Sequence, residues 1–202
     1  MKVNLSKQAV ITVLCIYLSA QLAVPAAAQS VQVGEGRDQK TIQLVRTENR
    51  PVIDGVLDES AWESAAYIDE FHQIIPVEYD PPSERTEVRI LYDDDALYVG
   101  VKMFIDPELI TANILKQNTT IFGSDDYFSI SFDSFNTQRG GYFFGVNPNG
   151  VRADGLYRNI SQFYADWDSI HYIETAIVED GCIAEFEIPF KSISFDPNSD
   201  TW

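Results

Sequence analysis

Apolar and polar residues alternate along several short segments of this chain. In the segment 127–132, Phe128, Ile130 and Phe132 are separated by two serines. A period of two residues places neighbouring side chains on opposite faces of an extended strand. The pattern therefore predicts a strand here, with an aromatic face directed into the core.

A β-hairpin is predicted between residues 87 and 104. The segments 87–92 and 97–104 are both rich in alternating apolar residues, and Asp93, Asp94 and Asp95 join them. Two such runs on either side of a short polar turn are typical of a hairpin. Turn residues also separate four further predicted strands, at 142–146, 151–157, 172–178 and 182–188.

Helical signals are few. Asp58 is a candidate cap for a short turn through 61–65, and Pro107 is a candidate start for another through Asn113. Many short strands with regularly spaced turns predict an all-β fold, an antiparallel β-sandwich of the immunoglobulin or jelly-roll type with one or two short helices.

Residues 1–28 have the layout of a secretory signal peptide. Two lysines precede an apolar stretch that ends in three alanines at 26–28. Ser19 and Gln21 interrupt that stretch, which makes it shorter than the roughly 20 unbroken apolar residues of a membrane span. We therefore expect cleavage near Ala28 and no stable membrane insertion afterwards. The protein is then exported, to a periplasmic, outer-membrane-associated or secreted location.

The remaining chain has the size of one domain. Residues 29–44 are predicted to form a flexible leader because they are mainly polar and begin without periodicity, and residues 45–202 to form the folded domain. Cys182 is the one cysteine after residue 28, so no intramolecular disulfide can form. The sequence stops soon after a strand-like segment, without a polar tail.

Charge restricts the class of ligand. The chain has 14 basic and 31 acidic residues, a formal net charge of −17. A field of that sign repels phosphate backbones, so no nucleic-acid partner is expected. It suits neutral ligands and hard cations, although acidity also serves simply to keep an exported protein soluble.

No catalytic residue is predicted. Glycoside hydrolysis needs two carboxylates at a set separation, and no spacing singles out a pair among so many acids. The two histidines, His72 and His171, lie far apart, and the chain contains no Gly-x-Ser-x-Gly motif.

A structural Ca²⁺ site is predicted at Asp125 and Asp126. Like charges side by side at the start of a strand are unfavourable unless water solvates them or a cation bridges them. Carboxylate oxygens in a loop are suitable Ca²⁺ ligands. A solvated turn without metal is the alternative.

Six segments recur in this order in one family. They are PVIDGVLDESAW (51–62), YDDDALYVGV (92–101), GSDDYFSISFDSF (123–135), GYFFGVNPNGVRADG (141–155), DWDS (166–169) and AEFEIPFKSISF (184–195). Together they resemble the family 9 carbohydrate-binding modules, and more closely the family-9-like domain at the N-terminus of large bacterial envelope proteins. The resemblance covers nearly all of the chain after residue 45. It implies a β-sandwich that holds calcium and binds a glycan or oligosaccharide without catalysis, in association with carbohydrate catabolism. Because relatives continue into a second, larger region, the resemblance also implies a truncated C-terminus here and a missing C-terminal domain as a partner.

Sugar recognition needs aromatic rings for the apolar face of the pyranose and planar polar groups for its hydroxyls. The loops of the second half of the domain carry such side chains, and the predicted ligand-binding residues are Arg139, Asn147, Tyr157, Trp167, Asp168 and His171. Relatives commonly have tryptophan at the places of His171 and Cys182, so this chain has less stacking surface. Two other functions remain open: a structural or docking periplasmic domain without a sugar site, and a part of a glycan-active hydrolase.

Overall fold

The computed structural model describes residues 2–5, 14–16, 40–117, 121, 123–159, 161–199 and 201–202. The strands are β1 (Lys2–Leu5), β2 (Leu14–Ile16), β3 (Lys40–Gln43), β4 (Val45–Arg46), β5 (Ala66–Ile68), β6 (Thr86–Tyr92), β7 (Ala96–Phe104), β8 (Phe128–Phe132), β9 (Gly140–Val146), β10 (Arg152–Arg158), β11 (Phe163–Tyr164), β12 (Tyr172–Val178) and β13 (Gly181–Pro189). Among these residues, helical structure is limited to one α-helix, α1 (Ser60–Glu63), and two 3₁₀ turns (Pro107–Leu109 and Phe190–Ser192).

Two sheets form the body of the domain. One has the strand order β11-β10-β9-β8, and the other has the order β12-β13-β7-β6-β4, with β5 also paired to β6. Neighbours in both sheets are antiparallel, apart from the parallel pair of β4 with β6. We call the four-stranded sheet the smaller sheet and the six-stranded one the larger sheet. A separate three-stranded sheet has the order β2-β1-β3. The predicted antiparallel β-sandwich is confirmed.

The alternation seen in the sequence places the core between the sheets. Phe128, Ile130 and Phe132 of β8 point inward, as predicted, and pack in the same cluster as the inward residues of the larger sheet. Burial of aromatic and branched side chains on both inner faces is the main stabilising term in such a sandwich. The largest fully buried side chains are Tyr98, Phe132, Phe143, Phe144, Phe186, Ile90, Leu91, Leu97 and Ile121.

The hairpin between β6 and β7 is confirmed. One carboxylate oxygen of Asp93 accepts the backbone N–H groups of Asp95 (2.7 Å) and Ala96 (2.8 Å). This is the turn chemistry expected of an aspartate that begins a tight loop.

A second apolar layer covers the outer face of the larger sheet. Trp62 of α1 is buried there against Leu91 and Tyr98. The segment before α1 is held by Glu185, whose Oε2 accepts the backbone N–H groups of Asp54 (2.9 Å) and Gly55 (2.7 Å). Gly55 has φ +87°, a conformation that favours glycine.

The helical turns differ in detail from the prediction. The N-cap of α1 is Glu59 and not Asp58. The Glu59 carboxylate accepts the Val52 N–H (2.8 Å) and the Trp62 indole N–H (3.1 Å), and these two hydrogen bonds fix the segment that enters the helix. The turn that begins at Pro107 ends at Leu109, earlier than expected.

The domain begins before the predicted boundary. Ile42 and Leu44, assigned from the sequence to a flexible leader, are buried at 4% and 3% exposure in the main core, because β3 is a strand with an apolar face. Most of the predicted signal peptide and leader, including Ala28, lies outside the described residues, and cleavage there stays a prediction. Within the described ranges, no helix is long and apolar enough to cross a membrane.

Candidate functional site

One end of the sandwich contains a cavity of about 280 Å³ between the two sheets. Its inner wall is formed by paired residues near one end of each sheet. Thr86, Met103 and Cys182 are register partners across β6, β7 and β13. Phe128 and Val146 are register partners across β8 and β9. The cavity therefore continues the apolar interior toward the surface.

The mouth of the cavity combines aromatic and polar side chains. Phe104 and Tyr127 add rings to that of Phe128, and the remaining lining residues are Glu84, Ile105, Ile110, Asp126, Asn147, Pro148 and Thr175. Burial raises the pKa of the Tyr127 phenol, which therefore keeps its proton at neutral pH. Apolar walls with a few convergent polar groups are typical of small-molecule sites.

Asn147 holds this end of the sandwich together. Its side chain is fully buried, and its amide nitrogen donates to the Ile114 carbonyl and to Asp125 Oδ2, both at 2.9 Å. Its amide oxygen accepts the N–H groups of Asn149 (3.1 Å) and Val151 (2.8 Å). Because both amide protons and the oxygen are engaged, Asn147 positions the loops around the cavity and has no donor left for a ligand.

Asp125 and Asp126 fasten the segment 111–114 to the cavity. Asp125 Oδ2 accepts the Ile114 N–H (2.9 Å), and Asp126 Oδ2 accepts the Thr111 N–H (2.8 Å). Burial by itself raises the pKa of Asp125, but hydrogen bonds from Ile114 and Asn147 outweigh it and hold the pKa below its usual value. Both carboxylates thus have a structural role that does not depend on metal.

The fit of these residues to Ca²⁺ is partial. Asp125 Oδ1 is buried and has no hydrogen-bond partner among the described residues, so it is suited to a cation ligand. In the same part of the chain, no group of three or more His, Cys, Asp or Glu side chains lies close enough to hold a metal ion. Since Ca²⁺ takes six to eight oxygen ligands, most of a coordination shell here would have to come from carbonyls and water.

Cys182 forms part of the deepest wall. Its thiol is buried, and burial raises the thiol pKa to about 11, so the group is protonated at neutral pH. An indole at this position would occupy space that belongs to the cavity. The small side chain therefore helps to keep the cavity open.

The rings of Trp167 and His171 lie away from the cavity, and both pack against the ring of Phe144. The Trp167 ring is half-buried, 5.1 Å from the Tyr142 ring and 5.9 Å from the Phe144 ring. His171 is 7% exposed, with its ring 5.1 Å from that of Phe144. Burial lowers the pKa of His171, so the neutral imidazole is favoured. Both rings pack on the core at the edge of the smaller sheet.

The other predicted ligand residues are dispersed. Arg139 is exposed just before β9, and Asp168 is exposed beside Trp167. Tyr157 lies on the outer face of the smaller sheet, where its ring centroid is 5.0 Å from that of Phe163. Of the six predicted ligand residues, Asn147 lines the cavity, together with the predicted metal ligand Asp126.

Comparison with known proteins gives a match at the level of structure. No family model and no curated protein matches the chain. Among solved structures it is similar to a carbohydrate-binding module family 9 domain from Caldicellulosiruptor kristjanssonii in complex with cellotriose, with 21% identity and a TM-score of 0.50 over 72% of this chain and 65% of that chain. A structure of a family 9 module from the same organism in complex with glucose gives 20% identity and a TM-score of 0.51 over 75% of this chain and 71% of that chain. The chain has the fold of a family 9 carbohydrate-binding module. It spans about two thirds of the length of the cellotriose-bound module.

Within this family 9 fold, sequence reasoning missed most of the cavity. Glu84, Thr86, Tyr127 and Thr175 come from three separate parts of the chain, and strand pairing brings them to one end of the sandwich. The available signal was the turn-rich segment 147–150, which marks where β9 ends beside the cavity.

Proposed function

We propose that this domain binds carbohydrate without catalysing its cleavage. The observation that carries the proposal is the cavity at the end of the sandwich, which places aromatic rings beside hydroxyl and carboxylate groups. The fold supports it, since the two similar family 9 structures were solved with cellotriose and glucose.

The cavity has the chemistry that a sugar needs. One face of a pyranose is formed by C–H groups and stacks on rings such as Tyr127 and Phe128, while its hydroxyls need donors and acceptors such as Thr86 and Asp126. Thr175 donates its hydroxyl proton to the Pro148 carbonyl at 3.1 Å and keeps its oxygen as an acceptor. A volume of about 280 Å³ suits one sugar unit of an oligosaccharide.

A titration tests this function. Calorimetric titration with cello-oligosaccharides is expected to show saturable binding that Tyr127→Ala weakens by about two- to tenfold, because one stacked ring contributes about 0.5–1.5 kcal/mol. Tyr172→Ala is the matched control, since it removes the same type of side chain from an exposed position that does not line the cavity. If Trp167→Ala abolishes binding and Tyr127→Ala leaves the affinity unchanged, the binding site lies beside Trp167 and not in the cavity.

A docking domain without a sugar site is the second candidate. The loop before β6 exposes a short apolar series, with Ile75 at 79% and Val77 at 52% exposure, as expected of a surface that another protein covers. A flat response to plant and bacterial polysaccharides in the same titration would favour this role.

We also propose that the domain acts outside the cytoplasm, in carbohydrate catabolism. The basic, apolar and small-residue regions of 1–28 support export, and the catabolic role follows from glycan binding. Retention of the protein in the cytoplasmic fraction of cells that express it would contradict this location.

We also propose that Asp125 is a ligand of a structural Ca²⁺ ion. If the ion binds only the folded domain, EDTA is expected to lower the melting temperature and added Ca²⁺ to restore it. Asp125→Asn, which keeps one acceptor oxygen for the Ile114 N–H, is expected to remove the response to EDTA. An unchanged melting temperature after chelation would exclude the site.

A further inference from the structure

The charged residues that line the cavity are all of one sign. Glu84 and Asp126 line it, and no Lys, Arg or His side chain among the described residues does. Both acids are exposed at the mouth. The polar lining therefore combines two negative groups with neutral hydroxyl and amide groups.

Two cationic side chains lie near the cavity, but they do not reverse the sign of its charge. Arg85 lies 4.8 Å and Lys102 lies 5.4 Å from the centroid of the Phe104 ring, which is part of the lining. Arg85 forms an ion pair with Glu87, and Lys102 forms one with Asp180. Glu87 is shared with Arg89, but neither Arg85 nor Lys102 lines the cavity. The charged side chains in its lining therefore remain Glu84 and Asp126.

The walls strengthen that field. Met103, Phe128 and Val146 are apolar and exclude water from the inner part of the cavity. Charges beside a low-dielectric wall interact more strongly than charges in open solvent. A carboxylate on the ligand is repelled here, and an ammonium group is attracted.

We propose that the cavity selects sugars by charge, accepting neutral and amino sugars and rejecting uronic acids. This rests on the proposed carbohydrate-binding function and names the class of sugar that the same site takes. The chain's overall acidity acts in the same direction, but at longer range and with more screening by salt.

Three ligands with the same β-1,4-linked backbone and a neutral, a cationic or an anionic substituent on each sugar ring test the proposal. We would titrate the protein with β-1,4-linked trimers of glucose, glucosamine and glucuronate at low salt. The glucosamine trimer is expected to bind at least about tenfold more tightly than the glucuronate trimer, with the glucose trimer between them. In about 1 M salt, where the Debye length is about 3 Å, the difference is expected to shrink.

A pair of double variants separates the cavity from the overall charge. Glu84→Gln with Asp126→Asn removes both lining charges, and the new Asn amide oxygen can still accept the Thr111 N–H, so the fold is preserved. This variant is expected to bind the three trimers within about threefold of one another. Glu63→Gln with Asp58→Asn makes the same change in net charge at exposed positions outside the cavity, and is expected to keep the wild-type order.

Each outcome bears on one claim. Equal affinity of the wild type for all three trimers would overturn charge selection and leave sugar binding intact. A preference that survives in the cavity variant but disappears in the control variant would also overturn it. Absence of binding to all three trimers would instead count against the proposed function itself.

Discussion

Replacing Asn147 with alanine is expected to lower the free energy of unfolding by about 3–5 kcal/mol, since several buried hydrogen bonds are lost together. The substitution removes an amide nitrogen that donates two hydrogen bonds and an amide oxygen that accepts two. It leaves the Val151 N–H and the Asp125 carboxylate without the partner that satisfies them inside the domain. Unfolding in urea, followed by intrinsic tryptophan fluorescence, measures the change.

Two substitutions serve as controls for Asn147→Ala. Asn149→Ala removes the same amide from an exposed neighbour that donates to the Ala112 carbonyl at 2.8 Å, and is expected to cost less than about 1 kcal/mol. Asn147→Asp keeps the shape but places a carboxylate oxygen beside Asp125 Oδ2, where the amide nitrogen now lies at 2.9 Å. Its stability is expected to be lowest at neutral pH and to recover in acid, when one carboxylate is protonated. A cost for Asn147→Ala no larger than that for Asn149→Ala would contradict the central role of Asn147.

The second large effect concerns Glu185 and pH. This carboxyl group is fully buried under the segment before α1, and its Oε1 has no hydrogen-bond partner within the described ranges. Burial raises the pKa of Glu185 to about 7, while the N–H groups of Asp54 and Gly55 moderate the shift. The folded protein therefore binds this proton more tightly than the unfolded chain.

The direction of the pH effect follows from that difference. Stability from Glu185 is fully present below its unfolded pKa of 4.5 and is lost as pH rises through about 7. A shift of this size corresponds to about 3 kcal/mol between the two ends of the window. His171 acts in the opposite sense, because its pKa is lowered by burial and its contribution is lost as pH falls below its usual value.

Comparison with a glutamine variant isolates Glu185. Relative to the wild type, Glu185→Gln is expected to gain about 3 kcal/mol of stability between pH 4.5 and pH 8, because glutamine stays neutral throughout. The contribution of His171 is the same in both proteins and cancels. Glu187→Gln, on the same strand and ion-paired to Arg50 at 3.0 Å, is expected to show no such trend. A stability difference that stays constant with pH would show that Glu185 is ionised in the folded domain throughout this window.

The strands were predictable because their signal is local. The alternation of Phe128, Ile130 and Phe132 with serines reports which side of a strand is buried, and the structure buries that side. The Asp93 turn was predictable for the same reason, since an aspartate accepts hydrogen bonds from the residues that immediately follow it. The buried end of the leader was missed because Ile42 and Leu44 belong to segments too short to show a period.

The candidate site was predictable only in fragments. Asn147 and Asp126 were selected from the sequence as a ligand residue and a metal ligand, and both line the cavity. The structure also gives each a structural contact, since Asn147 uses all its hydrogen-bonding groups to join loops and Asp126 accepts an N–H from Thr111. A side chain's type is visible in the sequence, but the partners that it satisfies depend on the packing around it.

By itself, the sequence determined an acidic chain with the pattern of a β-sandwich, because periodicity, turn chemistry and charge are properties of neighbouring residues. The resemblance to family 9 modules came separately, from the order of six short segments. The tertiary structure alone decided where a ligand can enter. Thr86, Met103 and Cys182 become one wall through the pairing of β6, β7 and β13, and Phe128 and Val146 face them from the other sheet. These partners are far apart along the chain, and the register that aligns them is fixed by burying two apolar faces against each other, which no single segment encodes.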